Sequence, residues 1–121
     1  MIRESGVYAV HESHTFQIAY RDGGFVALRR YDGDPHTGSR VPVAALSRLD
    51  RVTTSAEWND VRVVVERILP SRLAWLRMRD GDLADSLGLY GDARRGWGAM
   101  CPIFELDDVR EDIEDLLAPE R

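Results

Sequence analysis

The sequence predicts a mainly β fold in which two pseudo-symmetric halves pack as one body, with one or two short helices. Three observations predict it. Short strand-period runs dominate the chain and long helical periodicity does not. Tyr31-Asp32-Gly33-Asp34 recurs as Arg79-Asp80-Gly81-Asp82, preceded by the strand-like runs Phe25 to Arg30 and Leu73 to Met78. Val41-Pro42-x-x-x-Leu46-x-x-Leu49 recurs as Cys101-Pro102-x-x-x-Leu106-x-x-Val109 with the same internal spacing. Two matches in one order point to a duplicated unit. The expected division is a first β repeat over 1–54 and a second over 55–121, the second carrying a helical insertion and an acidic C-terminal segment.

The elements follow in order. Val7 to Val10 is a short strand, and His11-Glu12-Ser13-His14 is a polar turn. Phe16, Ile18 and Tyr20 then alternate with Gln17 and Ala19, the period of a strand with one face inward. Asp22-Gly23-Gly24 tolerates the positive φ of a tight hairpin, and Phe25 to Tyr31 is the returning strand. Asp32 to Ser39 holds two Gly, one Pro and two Asp and no apolar residue, so it reads as a loop. Ala44 to Leu49 is too short for an independent helix and reads as a helical turn. Val52-Thr53-Thr54 opens a β-branched run reaching Trp58, Asn59-Asp60 is a turn, and Val61 to Val65 is the strongest β signal in the chain. Pro70 ends that run, because it lacks a donor and biases its predecessor toward extended geometry.

The second half departs from the first after Asp82. Asp82 as N-cap, Leu83 and Leu87 four apart and Gly88 at the end predict a short helix. Tyr90 to Trp97 is a Gly- and Arg-rich excursion, and Trp97 to Cys101 reads as a strand. The final segment has two readings. Leu106, Val109, Ile113, Leu116 and Leu117 fall at helical spacing, with Asp108 and Glu111 as a capping pair. The repeat instead predicts a turn and then a strand over Asp108 to Ile113; it governs the first part of the segment, and a helical end is allowed.

Composition narrows the function classes. The chain has 121 residues, 44% hydrophobic and 31% charged, which suits one compact domain or two small modules sharing a core. All sixteen basic residues are Arg, which reads as GC-rich coding; a selected phosphate surface would mix Arg with Lys. A net charge of −5 argues against nucleic acid or an anionic membrane as partner and favours a cationic protein. The single Cys101 makes no internal disulfide, and Met1 to Gly6 lacks the apolar core of a signal peptide. The cytoplasm is the expected location, and no membrane span and no cofactor are expected.

Three strands, a loop, a Pro-led helical turn and a closing strand resemble the order of SH3-like barrels. In that comparison Val41-Pro42-x-x-x-Leu46 and Cys101-Pro102-x-x-x-Leu106 are similar to the turn before the last SH3 strand. Each repeat is then a half-barrel or barrel, and Val52 to Trp58 serves as last strand of one and first strand of the next. A second resemblance rests on Val41-Pro42, Leu46, Leu49-Asp50-Arg51-Val52, Thr53-Thr54, Ala56, Trp58, Leu87-Gly88-Leu89 and Gly96-Trp97. With these the chain resembles a group of small actinobacterial proteins that look like the accessory and immunity proteins of bacterial toxin loci. That resemblance implies a cognate protein toxin as partner.

Few residues suggest chemistry. His11 and His14 offer half a metal site, but no ligand-spaced Cys or second acidic cluster completes it. His36 reads as a solvated loop residue, and Cys101 reads as a buried strand cysteine more than as a nucleophile. The two Asp-Gly-Asp motifs lack the ligand series of a calcium loop and read as turns. Arg29 and Arg77 fall at matching places, which would suit paired phosphate or methylated ligands. Asp107, Asp108, Glu111, Asp112, Glu114 and Asp115 are dense, with Arg110 the only base among them. They read either as a solvated helix face or as a negative surface that steers a cationic partner. Tyr90, Arg94, Arg95 and Trp97 are residue types that anchor interfaces. The expected partner-binding set is therefore Tyr90, Arg94, Arg95, Trp97, Asp107, Asp108, Glu111 and Asp112. The expected function is a non-enzymatic immunity or antitoxin protein that occludes a toxin's active site, and the alternative is a tandem SH3-like or Tudor-like adaptor for a peptide or nucleic acid.

Overall fold

Two-residue turns set the first hairpin of each half. In a computed structural model, residues 2–30, 40–78, 81, 88, 90–92, 94 and 96–117 are described. β1 (Gly6–His11) and β2 (His14–Asp22) are joined by Glu12 and Ser13, whose φ values are 51° and 67°. β5 (Arg48–Trp58) and β6 (Val61–Ile68) are joined by Asn59 and Asp60, at 51° and 64°. Positive φ at both central residues matches the twist of the flanking strands, and Asn and Asp reach that region more cheaply than Glu and Ser.

β3 (Phe25–Arg30), β4 (Arg40–Pro42), β7 (Leu73–Met78), β8 (Tyr90–Asp92), β9 (Gly96–Pro102) and β10 (Asp107–Asp115) complete the strands among the described residues. The fold is mainly β and antiparallel, as the alternation predicts. The helical content differs from expectation: two 3₁₀ turns, Val43–Ala45 and Ile103–Glu105, are the helical elements with described bounds. The helix expected from Asp82 falls on residues 82–87, outside the described residues, as does the loop 32–39 with His36 and the first Asp-Gly-Asp motif.

The chain divides into two compact units. The first comprises Gly6–Val52 and Ile113–Arg121, the second Met1–Ser5 and Thr53–Asp112. The cut within the chain falls between Val52 and Thr53, and each unit also takes in one end of the chain. Ser5 N–H donates to the Val65 carbonyl, which ties the N-terminal residues to the second unit, and Leu116 N–H donates to the Leu49 carbonyl in the first.

In the first unit the strand order is β4-β3-β2-β1-β5, with Gly6–Val10 of β1 opposite Arg48–Val52 of β5. Its core holds Ala9, Val26, Leu28, Val41, Val43, Leu46, Leu49 and Leu117. In the second unit the order is β5-β6-β7-β9-β8, with Ser55–Trp58 of β5 opposite Val61–Val64. Its core holds Ala56, Val63, Val65, Ala74, Leu76, Met78, Cys101 and Leu106. β10 pairs with β5. Asp107–Asp115 is therefore a strand, as the recurring pattern predicts for the first part of this segment; Leu116 and Leu117 form a turn, and residues 118–121, where the sequence allows a helical end, lie outside the described residues.

The ladders of the two units can be laid side by side. Ile18 faces Leu28 and Tyr20 faces Ala27, so Ala19 is bulged; Val65 faces Leu76 and Arg67 faces Trp75, so Glu66 is bulged. Each bulge bends its strand and raises the local twist. Val26 faces Val41 and Phe25 faces Pro42, while Ala74 faces Cys101 and Leu73 faces Pro102. After each proline the turn closes alike: Leu46 N–H donates to Val43 and Leu106 N–H to Ile103, both at 3.0 Å. Pro42 and Pro102 have φ near −60° and Leu46 and Leu106 near −88°, all in extended geometry.

Candidate functional site

These registers place Trp58 where the first unit has His11, and Phe104, Glu105 and Asp107 where it has Ala44, Ala45 and Ser47. In the second unit the β5–β6 turn and the second 3₁₀ turn line a cleft of about 460 Å³. Its wall includes Trp58, Asp60, Phe104, Glu105 and Asp107. The indole Nε1–H of Trp58 donates to Glu105 Oε1 at 3.2 Å, which fixes both side chains. Phe104 is 86% exposed, the most solvent-open large apolar side chain among the described residues. Because a 3₁₀ turn repeats every three residues, Ile103 and Leu106 point the same way, into the core; Phe104 and Glu105 are left facing outward.

The carboxylates of the cleft and of the acidic run divide into paired and unpaired. Glu111 takes two hydrogen bonds from Arg3, at 2.8 and 3.1 Å. Arg62 donates from Nη1 to the Asp108 carbonyl at 2.7 Å and from Nη2 to its carboxylate at 2.5 Å. Arg110 also reaches Asp108, at 2.9 Å. Burial raises the Asp108 pKa, but the hydrogen bonds from Arg110 and Arg62 outweigh it, and the carboxyl titrates below its ordinary value. Asp108 sits at a φ of 47°, so Arg62 braces a left-handed residue at both its carbonyl and its side chain. Glu114 pairs with Arg51 at 2.9 Å. Asp60, Glu105 and Asp107 have no basic partner among the described residues.

The expected binding set thus separates. Asp107 lines the cleft; Asp108 and Glu111 are tied to arginines, and Asp112 is exposed on β10. Trp97 is half-buried against the second core, with its ring 3.0 Å from where a Cβ on Gly81 would lie, so it packs the fold before it can anchor a partner. Tyr90 pairs with Gly98 through the backbone, Arg94 is exposed, and Arg95 lies outside the described residues. Trp58, Asp60, Phe104 and Glu105 were not in the set. Their signal lay in the positions left as x between the recurring Pro and Leu, where Ala44-Ala45 in one half stands against Phe104-Glu105 in the other.

The other candidates resolve locally. His14 Nδ1 lies 2.9 Å from the Glu12 carbonyl within the hairpin turn, and His11 Nδ1 lies 3.4 Å from the Ala45 carbonyl of the first 3₁₀ turn. Among the described residues no three His, Cys, Asp or Glu side chains converge as metal ligands. Arg77 makes a two-point pair with Glu66, at 2.6 and 3.1 Å, whereas Arg29 is exposed. Cys101 is 2% exposed, and burial, with the Glu105 charge adding to it, pushes its thiol up to about 11. At neutral pH it is therefore a protonated core residue.

No family model matches the chain, and neither a curated protein nor a solved structure matches it. No described helix is long and apolar enough to cross a membrane.

Proposed function

We propose that this chain is a non-enzymatic protein-binding module of the immunity or antitoxin kind, which neutralises a bacterial toxin by covering its cationic active site in the cytoplasm. The observation that supports this most is the joint exposure of apolar and unpaired acidic side chains on the second unit. Phe104, Met100 and Val109 are exposed at 86%, 49% and 43%, with Asp60, Glu105 and Asp107 among the unpaired acids. Apolar side chains left in water beside charge of one sign form a surface that releases water and gains Coulomb energy against a complementary partner. Both units are read as SH3-like repeats, a reading supported by the matching ladders, the matching bulges and the two Pro-led turns.

A tandem SH3-like or Tudor-like adaptor is the second reading, favoured by the aromatic residues Trp58 and Phe104 in one cleft. The two separate by experiment. The tagged chain is used to capture partners from native lysate, and each captured protein is expressed alone and together with this chain. A single stoichiometric partner that stops growth alone and is harmless in co-expression supports immunity. Recovery of many proteins sharing a short motif, or of nucleic acid, replaces it with the adaptor.

A further inference from the structure

We infer that the cleft between the β5–β6 turn and the second 3₁₀ turn is the docking point for one arginine side chain of a protein partner. The inference deepens the proposed binding role and rests on it.

Three observations narrow the occupant. The charge is the first: Glu57, Asp60, Glu105 and Asp107 line one cleft, and of these only Glu57 has an arginine within reach among the described residues, Arg62 at 3.9 Å, while Asp108 is held by Arg62 and Arg110, Glu111 by Arg3 and Glu114 by Arg51. Like charges gathered in one concavity repel, so a cation entering there reduces that repulsion as well as gaining its own pairing. The aromatic wall is the second. Phe104 is 86% exposed and lines the cleft, so a flat cation has ring surface to lie on and carboxylates to donate to, while Trp58 packs against the core and holds Glu105 through its indole N–H. The third is what the cleft lacks as a metal site: no three of its carboxylates converge. Dispersed acceptors suit an extended organic cation. Guanidinium is preferred to ammonium because it is planar, more weakly hydrated, stacks on rings and donates in a fork to carboxylates.

The first unit supplies an internal control. At the matching place it carries Ala44, Ala45 and Ser47, and Ser47 is tied to β1: its N–H and Oγ both donate to the Val10 carbonyl, at 2.9 and 3.2 Å. The backbone register therefore does not require Phe104 or Asp107 at these positions; Glu105 has an internal role in holding Trp58, and a binding role accounts for the other two.

The probe is an acetylated, amidated Gly-Gly-Arg-Gly-Gly peptide, with the lysine analogue beside it. Each is titrated to millimolar concentration into the full chain, and the indole N–H resonance of Trp58, assigned by Trp58→Phe, is followed by NMR. The expected result is a saturable shift with the arginine peptide, about fivefold or more weaker binding of the lysine peptide, and loss of the shift in Phe104→Ala and Asp107→Asn. Both side chains are exposed, so matching thermal melts will establish that these variants fold. No saturable shift, equal binding of the two peptides, or an undiminished shift in both variants overturns the inference. A toxin that binds Phe104→Ala and Asp107→Asn as tightly as the original also overturns it while leaving the module reading intact. Peptide binding without any neutralised toxin leaves the cleft assignment standing and removes the immunity reading.

Discussion

Several registers of the first unit can be laid beside registers of the second, and the side chains at the hairpin end then differ. In the first, the hairpin turn of Glu12 and Ser13 accompanies Ala44, Ala45 and Ser47; in the second, the turn of Asn59 and Asp60 accompanies Phe104, Glu105 and Asp107. Three matched buried positions keep both residue and burial: Ala9 and Ala56 are fully buried, Leu28 and Leu76 are 2% and 1% exposed, and Leu46 and Leu106 are 8% and 9% exposed, whereas Leu49 is fully buried and its counterpart Val109 is 43% exposed. The inward pattern maintains the backbone, and the outward positions are free to carry binding chemistry. Divergence against a fixed backbone thus marks the surface worth testing.

The largest expected effect tests the matched cores. Leu28→Ala and Leu76→Ala each remove a buried side chain with neighbours on every side, and each should cost about 2–5 kcal/mol in urea unfolding. A near-zero cost for either breaks the equivalence of the two cores.

A smaller effect, of opposite sign, sharpens the comparison. Thr54 is fully buried, and its hydroxyl has no partner among the described residues; the backbone N–H of Thr54 is satisfied by Ser5 Oγ at 2.9 Å. By register the matching residue of the first unit is Val7. Thr54→Val removes an unpaired polar atom at nearly constant shape and should stabilise the chain by about 1 kcal/mol. A comparable loss of stability would mean that the hydroxyl is satisfied and that the two positions differ in kind.

The smallest effect concerns the turns. Glu12 and Ser13 occupy the left-handed region where the other hairpin places Asn and Asp. Glu12→Asn with Ser13→Gly should raise the urea midpoint by the equivalent of about 0.5 kcal/mol per position. If the midpoint falls, the Glu12 and Ser13 side chains make a contribution that their backbone geometry conceals.

Much of the fold was legible from local pattern. The alternation of Phe16, Ile18 and Tyr20, the β-branched run at Val61 to Val65 and the recurring Pro-x-x-x-Leu all fall where strands and turns occur. Two stretches read less clearly. Leu46 and Leu49 share a spacing that suits a helical turn and equally a 3₁₀ turn running into a strand, and β5 starts at Arg48, earlier than the β-branched residues announce. The tail spaced Leu106, Val109, Ile113 and Leu116 helically, yet pairing with β5 outweighs that spacing and makes it β10.

The site was harder to read because it depends on distant partners. The acidic end seemed to own a single base, Arg110. The fold brings it Arg3 across 108 positions, Arg51 across 63 and Arg62 across 46, separations that no local window registers. These pairings consume Asp108, Glu111 and Glu114, while Asp60, Glu105 and Asp107, only one of which belongs to the acidic run, line the cleft with no basic partner among the described residues.

The burial of Cys101 gives the second unit a built-in clock. The only thiol of the chain faces Ala74 across the ladder and stays protonated in the folded state, so an alkylating reagent can reach it only when that ladder opens. With reagent in excess the modification rate becomes the opening rate, and with reagent limiting it becomes the population of the open form. A single covalent event per molecule therefore reports how often, and for how long, the strands behind the cleft come apart.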